Sequence, residues 1–501
     1  YGYEFALTLN YSKLFAEKHL LYAGLNMDIT SNKERYYNFV VEGFVEETLD
    51  FLGAALQYQK NGKPSGTEAT SRRIGVVSNL NYAFDNRYYV DIAYRTDGSS
   101  QFGKNKRFAP FYSAGLGWNI HRERFMEKID FIDRLKFRAS YGQTGSQKFN
   151  VYQALTTYDY YLNDRYFQWL GSYQKALGNP DLEWQITDKW NAGLEMNLWK
   201  NRLSFVADIY WEQTSNLLSS LELFYSNGFT SYVENVGKVE NRGFELKATA
   251  FLVRDTENRF IWTVSGALVH NRDKVVKLSE AMKNENAKLL LQKGNASNTI
   301  IQEGESQNTI YAVPSLGIDP NSGRELFLKK NGEVSYTWDA RDRVAFGLKE
   351  PKYRGNFSTN VRWKALTLNM TFDYRFGGQL YNTTLVSKVE NADKKYNVDE
   401  RVLKDRWKKV GDRTFFKGLN NTTSTYATSR FVQDEKTLVF KNLHLSYEFR
   451  DNPWLRTNLG IHSLSLSGNA SDLFHKSTVK QERGLSYPFA RRFSFSLSVW
   501  F

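Results

Sequence analysis

Residues 151–173 read VYQALTTYDYYLNDRYFQWLGSY, with Tyr152, Tyr158, Tyr160, Tyr161, Tyr166, Phe167, Trp169 and Tyr173 crowded into one short stretch. Flat aromatic faces stack on sugar rings and on extended peptides, and Asp159, Asp164 and Arg165 add hydrogen-bonding groups beside them. Tyr158, Tyr160, Tyr161 and Trp169 are the candidate contacts; the plainer alternative is that these rings pack the loop itself. Catalytic chemistry has no comparable cluster. His19, His121, His270, His444, His462 and His475 are scattered, with no HExxH and no i, i+4 pair. No G-x-S-x-G or phosphate-binding loop occurs, and the absence of cysteine removes disulfides, thiolate metal sites and a thiol nucleophile. Asp319, Asn321 and Gly323 in GIDPNSGRE have some likeness to a calcium loop, but the later Glu is missing and a Pro/Asn/Gly turn is the better reading. No enzyme activity, cofactor or metal is expected.

The elements that carry these residues are strands. The last residues, RRFSFSLSVWF, alternate strictly: Phe493, Phe495, Leu497, Val499 and Phe501 fall on one face, with Ser494, Ser496, Ser498 and Trp500 on the other. The same alternation recurs over 1–11, 19–30, 72–84, 87–96, 108–120, 134–142, 184–199, 202–213, 241–252, 259–271, 354–363, 366–376, 437–449, 459–470 and 490–501. In 366–376, Leu366, Leu368, Met370, Phe372, Tyr374 and Phe376 oppose Thr367, Asn369, Thr371, Asp373 and Arg375. Charge falls on the second face; Asp188 and Lys441 are exceptions, both toward the same strand end, where an interface would accommodate them. Most runs have the length that crosses a bilayer at a tilt.

The connections alternate between a short set (12–18, 85–86, 121–133, 200–201, 253–258, 364–365, 450–458) and a long set (31–71, 97–107, 143–183, 214–240, 272–353, 377–436, 471–489). A meander crossing one membrane needs such alternation, with short periplasmic turns and longer extracellular loops. A soluble sandwich or propeller does not. Aromatics mark both ends: Tyr11, Phe84, Tyr88, Trp118, Trp363, Phe449 and Phe501 near the short turns, and Tyr1, Tyr94, Tyr112, Tyr141, Trp184 and Trp211 near the long loops. The expected fold is all-β: a transmembrane antiparallel β-barrel, residues 1–501 forming one barrel domain with long extracellular loops 31–71, 143–183, 272–353 and 377–436. Mean hydropathy is −0.56, and no apolar run reaches the length of a transmembrane helix. A barrel needs only one apolar face per strand. The formal charge of +13 is spread over surface and loops, without the long Lys/Arg block of a nucleic-acid tail, so no nucleic-acid partner is expected. The chain opens in mid-alternation at YGYEFALTLN, and the strand count is odd, so it is expected to be part of a longer protein.

Several stretches carry a resemblance: YRTDGSSQFGKNKRFAPFYSAGLGWNI (94–120), LKFRASYGQTGSQ (135–147), LGNPDLEWQITDKWNAGLEMNLWKNRLSFVADIYWEQTSNLL (177–218), NVGKVENRGFEL (235–246), GIDPNSGRE (317–325), RWKKVGDRT (406–414) and YPFARRFSFSLSVW (487–500). Together they resemble the SusC/RagA family of TonB-dependent outer-membrane transporters of Bacteroidetes. That resemblance implies a 22-stranded barrel closed by a plug, of which the fifteen strands would be the C-terminal ones, with the plug outside this chain. It implies import of oligosaccharides, with oligopeptides second, under a SusD-like lipoprotein lid and with energy from the TonB complex. The rings around Tyr158 then have a third reading, as contacts for the lid. Outer-membrane lipid is the surrounding partner. A terminal strand with Phe493, Phe495, Leu497, Val499 and Phe501 resembles the signal read by the barrel-assembly machinery. The rival readings are a siderophore-type receptor without a lid, and a SusC-like scaffold inside a larger outer-membrane assembly or secretion complex.

Overall fold

The computed structural model describes every residue except 47, 50, 63, 148, 224, 295–299, 394, 451 and 481–489, and excepting also the side chains of 162–165, 222 and 225. Fifteen strands form one sheet in chain order. They are Gly2–Phe15, His19–Asn38, Ser65–Phe84, Tyr88–Ser99, Phe108–Asn119, Ile132–Ser146, Gln185–Leu198, Leu203–Glu222, Ser231–Asp255, Phe260–Leu278, Tyr353–Trp363, Leu366–Tyr381, Val432–Arg450, Ser463–Ser477 and Arg492–Trp500. Neighbours in sequence are neighbours in the sheet, the arrangement that tight turns between antiparallel strands produce. Asp85 and Asn86 show how: φ is +51° and +50°, the left-handed pair a two-residue hairpin requires.

All fifteen expected strands are present, but many reach further toward the long loops than the alternation indicated. The 19–30 run continues to Asn38, 202–213 to Glu222 and 259–271 to Leu278, while 241–252 begins at Ser231 and 437–449 at Val432. Beyond the hydrocarbon both faces meet water. The pattern fades while backbone pairing continues, as in Lys33↔Thr70, Arg35↔Glu68 and Asn38↔Ser65. The strict short–long alternation is corrected accordingly. The connections expected at 97–107 and 214–240 shrink to 100–107 and 223–230, shorter than 120–131, which carries the 3-10 turns Ile120–Arg122 and Arg124–Met126. The turn before residue 463 holds the helix Pro453–Leu459, capped by Asn452 and ended by Gly460 at φ +66°.

The expected lipid row is continuous across strands. Phe357, Phe372, Phe440 and Phe474 are cross-strand partners whose ring centroids lie 4.7, 4.4 and 5.7 Å apart in turn. Further along, Phe244, His270, Tyr353 and Phe376 form a second row, with each centroid 5.3 Å from the next. Trp363 and Trp262 close the opposite end, both exposed. From Tyr353 to Trp363, about 3.3 Å per residue at a tilt of about 40° gives about 25 Å of height, the thickness of a barrel's apolar band. The opposite face is polar and paired: Ser265 with Ser358 at 2.7 Å, His444 with Asn469 at 2.7 Å, and Arg138 with Asp208 at 2.7 Å.

Lys441 is no exception to this division. A bulge shifts the register there: Leu443 pairs with Met370 and Phe440 with Phe372, so the phase of the strand changes at Lys441. Its ammonium lies 3.8 Å from Asp373, on the polar face. Asp188 accepts hydrogen bonds from the Tyr141 hydroxyl at 2.8 Å and Gln143 Nε2 at 2.9 Å, so its charge is partnered.

Contacts divide the chain into two compact units, Tyr1–Leu116 with Tyr141–Asp188 and Ser215–Val236, and Gly117–Ser140 with Lys189–Thr214 and Gly237–Phe501. The first has a small core of Phe102, Ala109, Phe111 and Trp184, against which Phe149 and Ile186 pack. Trp184 was expected in the interfacial girdle; it is instead 5% exposed and stacks on Phe102 at 4.3 Å. The second unit has a core of Ile310, Tyr381, Val386, Val389, Val402, Phe416, Ala427 and Phe431, built mostly from the segments 279–352 and 382–431.

Candidate functional site

The aromatic stretch is a hairpin, Thr157–Tyr166 against Trp169–Ala176, standing in the 147–184 connection. Alternating aromatics are good strand formers, and Phe167 at φ +53° turns the tip. Tyr158, Tyr160, Tyr161 and Trp169 are all exposed, as are Tyr166, Phe167 and Tyr173. The rings do not close into one cage. Tyr161 packs on Tyr173 at 4.8 Å and Tyr166 on Phe167 at 5.1 Å, while Tyr158 lies opposite Gln174 and Tyr160 opposite Ser172. Asp159 is bound by Lys175 at 3.1 Å; the side chains of Asp164 and Arg165 lie outside the described residues. The hairpin presents open ring faces with little apolar packing beneath them.

The stretches around the hairpin that carry the family resemblance serve to hold backbone. Gly103 N–H donates to Leu182 O at 3.0 Å, and a Cβ on Gly103 would sit 1.7 Å from Pro180 O. Trp184 Nε1 donates to Arg107 O at 3.2 Å and Gln101 Nε2 to Phe149 O at 2.9 Å. Asn235 exchanges hydrogen bonds with the backbone of Glu183 at 3.2 and 3.1 Å, and Asn179 Nδ2 donates to Val233 O at 2.9 Å. These residues anchor the base of the loops to the sheet.

In the second unit the segments 279–352 and 382–431 carry their own structure: the helix Glu280–Leu291, short strands such as Thr309–Ala312 and Glu325–Leu328, and several single turns. The expected turn at Asp319 forms. Its carboxylate accepts from Ser322 Oγ, Asn321 N–H and the Tyr336 hydroxyl at 2.6, 3.0 and 2.7 Å. These donors hold it below the usual carboxylate range, the Ser322 hydroxyl most of all. Trp407 from RWKKVGDRT docks on this turn: Nε1 donates to Pro320 O at 2.8 Å, and the ring fills the space where Gly323, at φ +67°, has no Cβ.

Sequence reasoning missed the charged hub beneath. Arg430 reaches Glu325 at 2.8 Å and Glu390 at 2.7 Å, with side-chain exposures of 4%, 7% and 0%. Thr428 and Ser315 hydroxyls also donate to Glu325 at 2.8 and 2.6 Å. Burial alone would weaken the Arg430 cation, but the two carboxylates outweigh it and raise its pKa above the ordinary guanidinium value. Arg406, also buried, donates to the carbonyls of Val402, Lys417, Val389 and Glu390. Arg343 donates to Leu289, Leu290 and Gln292 carbonyls at the helix end. Glu325 ends one quoted stretch and Arg406 opens another, which was the available signal. Among the described residues no group of three or more His, Cys, Asp or Glu is placed to hold a metal ion.

The terminal run lies in the Arg492–Trp500 strand. Phe493 pairs with Ala470, Phe495 with Gly468, Leu497 with Leu466 and Val499 with Leu464; Phe495 is 88% exposed, and Phe501 follows the strand, also exposed.

Comparisons with known proteins agree with this geometry. The family model for the TonB dependent receptor-like beta-barrel matches residues 1–471. A TonB-dependent receptor of Formosa agariphila is 26% identical, over 93% of this chain and 48% of its own. The TonB-dependent receptor SusC of Bacteroides thetaiotaomicron is 27% identical, over 76% of this chain and 38% of its own. The solved RagAB peptide transporter is 25% identical, with a TM-score of 0.81, over 95% of this chain and 52% of that one. The chain spans about half the length of the curated relatives it matches, or less. The apolar row on one face, the paired polar face and the antiparallel meander are thus those of an integral outer-membrane protein, and the chain belongs to the TonB-dependent receptor-like β-barrel family, with relatives of the SusC and RagA type.

Proposed function

We propose that the protein containing this chain imports a large polar solute, an oligosaccharide or an extended oligopeptide, and that the hairpin rings of Tyr158, Tyr160, Tyr161 and Trp169 are contacts in its capture. The observation that carries this reading is the exposure of these rings on the connection between two sheet strands. Open ring faces stack on sugars and on peptide groups alike; the likeness to a peptide transporter supports the peptide arm, and the likeness to SusC supports the family assignment alone. Long loops lie on the extracellular side of such barrels. A SusD-like lipoprotein would close over these loops, and TonB would supply the energy through the protein as a whole. The terminal strand with Phe493, Phe495, Leu497, Val499 and Phe501 is proposed as the segment read during barrel assembly. No reaction is catalysed in this reading.

The test is calorimetric titration of the full protein, purified from outer membranes, with panels of oligosaccharides and oligopeptides, alongside the variant Tyr158→Ala/Tyr160→Ala. Loss of two stacking rings is expected to weaken binding by about tenfold or more. Unchanged solute affinity with reduced lipoprotein co-purification would make the rings a lid contact. Binding to neither panel, with recovery of assembly or secretion components, would replace import by a scaffold.

A further inference from the structure

Arg242 and Arg272 are direct cross-strand partners, one on Ser231–Asp255 and the other on Phe260–Leu278. Like charges directly opposite on neighbouring strands destabilise a sheet. By alternation they share the face of Phe244 and His270, two positions along in the same unbroken register. They therefore lie one step beyond the ring row of Phe244, His270, Tyr353 and Phe376, where the apolar band ends on its long-loop side. Lys274, opposite Glu240, extends the cluster by another step, and Lys352 holds its ammonium 5.7 Å from the Tyr353 ring. Arg242, Arg272, Lys274 and Lys352 are all exposed.

Their acidic neighbours offset them only in part. Glu240 pairs with Arg242. Asp273 also lines the adjoining cavity, but it is buried and its carboxylate is taken up by the Ser306 hydroxyl and by Gln307 N–H at 2.8 Å. Among the described residues neither Arg272 nor Lys274 has an ion-pair partner, and Glu305 is the other acid lining the adjoining space. That space is a cavity of about 680 Å³, roofed by Thr309, Ala345 and Phe346 of the loops. Two opposed guanidiniums with an open cavity beside them are stabilised by an anion placed between them, and Arg forks match phosphate oxygens bidentately.

We propose that Arg242, Arg272 and Lys274 form a binding site for a phosphate-bearing lipid headgroup of the outer leaflet. The placement selects the ligand. The cluster stands at headgroup height on the lipid-facing side, and basic pockets at that level of a membrane protein bind anionic headgroups. Phe346, exposed beside the cavity, offers an apolar surface to the lipid's upper chain region.

The full protein, purified from outer membranes in neutral detergent, is titrated with lipid A, with dephosphorylated lipid A and with inorganic phosphate. Lipid A is expected to bind about ten- to thirtyfold more tightly than its dephosphorylated form. Arg242→Gln/Arg272→Gln should remove most of that preference while leaving solute affinity unchanged. Arg242→Lys/Arg272→Lys should keep part of it, and heat-modifiable gel migration confirms that each barrel is folded. Raising ionic strength from about 0.05 M to about 0.5 M should shrink the wild-type preference without any mutation. Equal binding of the two lipid forms, a preference that survives in the Gln variant, or inorganic phosphate binding as tightly as lipid A would each overturn the assignment.

Discussion

Replacing Arg430 by Met removes the cation that joins the two longest loops. Glu325 and Glu390 come from segments on either side of the Tyr353–Trp363 and Leu366–Tyr381 hairpin, and Arg430 bridges both. With the guanidinium gone, both carboxylates stay buried without their ion-pair partner, leaving only the neighbouring buried cations Arg406 and Lys417 to offset them. Breaking one side of a buried ion pair costs about 3–5 kcal/mol, and at about 1.4 kcal/mol per factor of ten this raises local opening by about two to three and a half powers of ten. Hydrogen exchange followed by mass spectrometry reads this directly, on peptides from 304–328 and 382–431, with the sheet strands as internal reference. The loops should lose protection while the sheet keeps it. A triple variant, Arg430→Met with Glu325→Gln and Glu390→Gln, should recover part of the protection, since the amides still accept from Thr428, Ser315 and Thr425 and no carboxylate is left without its ion-pair partner, while the buried cations Arg406 and Lys417 lose Glu390. Less than a tenfold change in the single variant, or a triple variant no better than the single, would show that the apolar core of Val386, Val389, Phe416 and Phe431 alone holds the loops.

Three further outcomes follow from the same geometry. Met370→Arg, on the lipid row, should destabilise folding into vesicles by about 2–4 kcal/mol, and Thr371→Arg, on the polar face, by much less; equal costs would mean the faces are misassigned. Gly103→Ala should loosen the 147–184 connection, because the added methyl meets Pro180 O, and exchange protection at Leu182 is the readout. Asp319 has a carboxylate pKa lowered by folding, so its contribution is full above the ordinary carboxylate value and is lost as pH falls through the lowered one; Trp407 exchange or fluorescence should report undocking only in that acidic window, and undocking at neutral pH would refute the assignment.

The strands were legible because a lipid face and a wet face impose period two on the local sequence, and Leu366–Phe376 displays it residue by residue. Their ends were less legible, since Arg35 and Glu68 pair across strands in water where no apolar alternation is required. Trp184 reads as an interfacial ring in one dimension; its burial depends on Phe102 and Phe111, brought to it by the fold. The hub is the least legible feature. Arg430 and Glu325 stand 105 positions apart, and nothing local to either marks the pair. The hairpin rings were found by composition alone, and their openness depends on register that composition does not carry.

The bulge at Lys441 has a consequence for how this strand tolerates change. Elsewhere in the sheet, inserting or deleting one residue turns every side chain beyond it to the wrong solvent. The Val432–Arg450 strand already contains such a step, with Leu443 and Phe440 both on the lipid row although their spacing is odd. Losing Lys441 would close the bulge and set Phe440 directly before Asn442, so Phe440 and Leu438 would stay on the lipid row and Val439 on the polar face, with every partner unchanged. The strand thus behaves as two separately phased halves joined at a hinge of register. Single-residue length changes in this lineage have one place in the strand where they can be absorbed without turning the wall inside out.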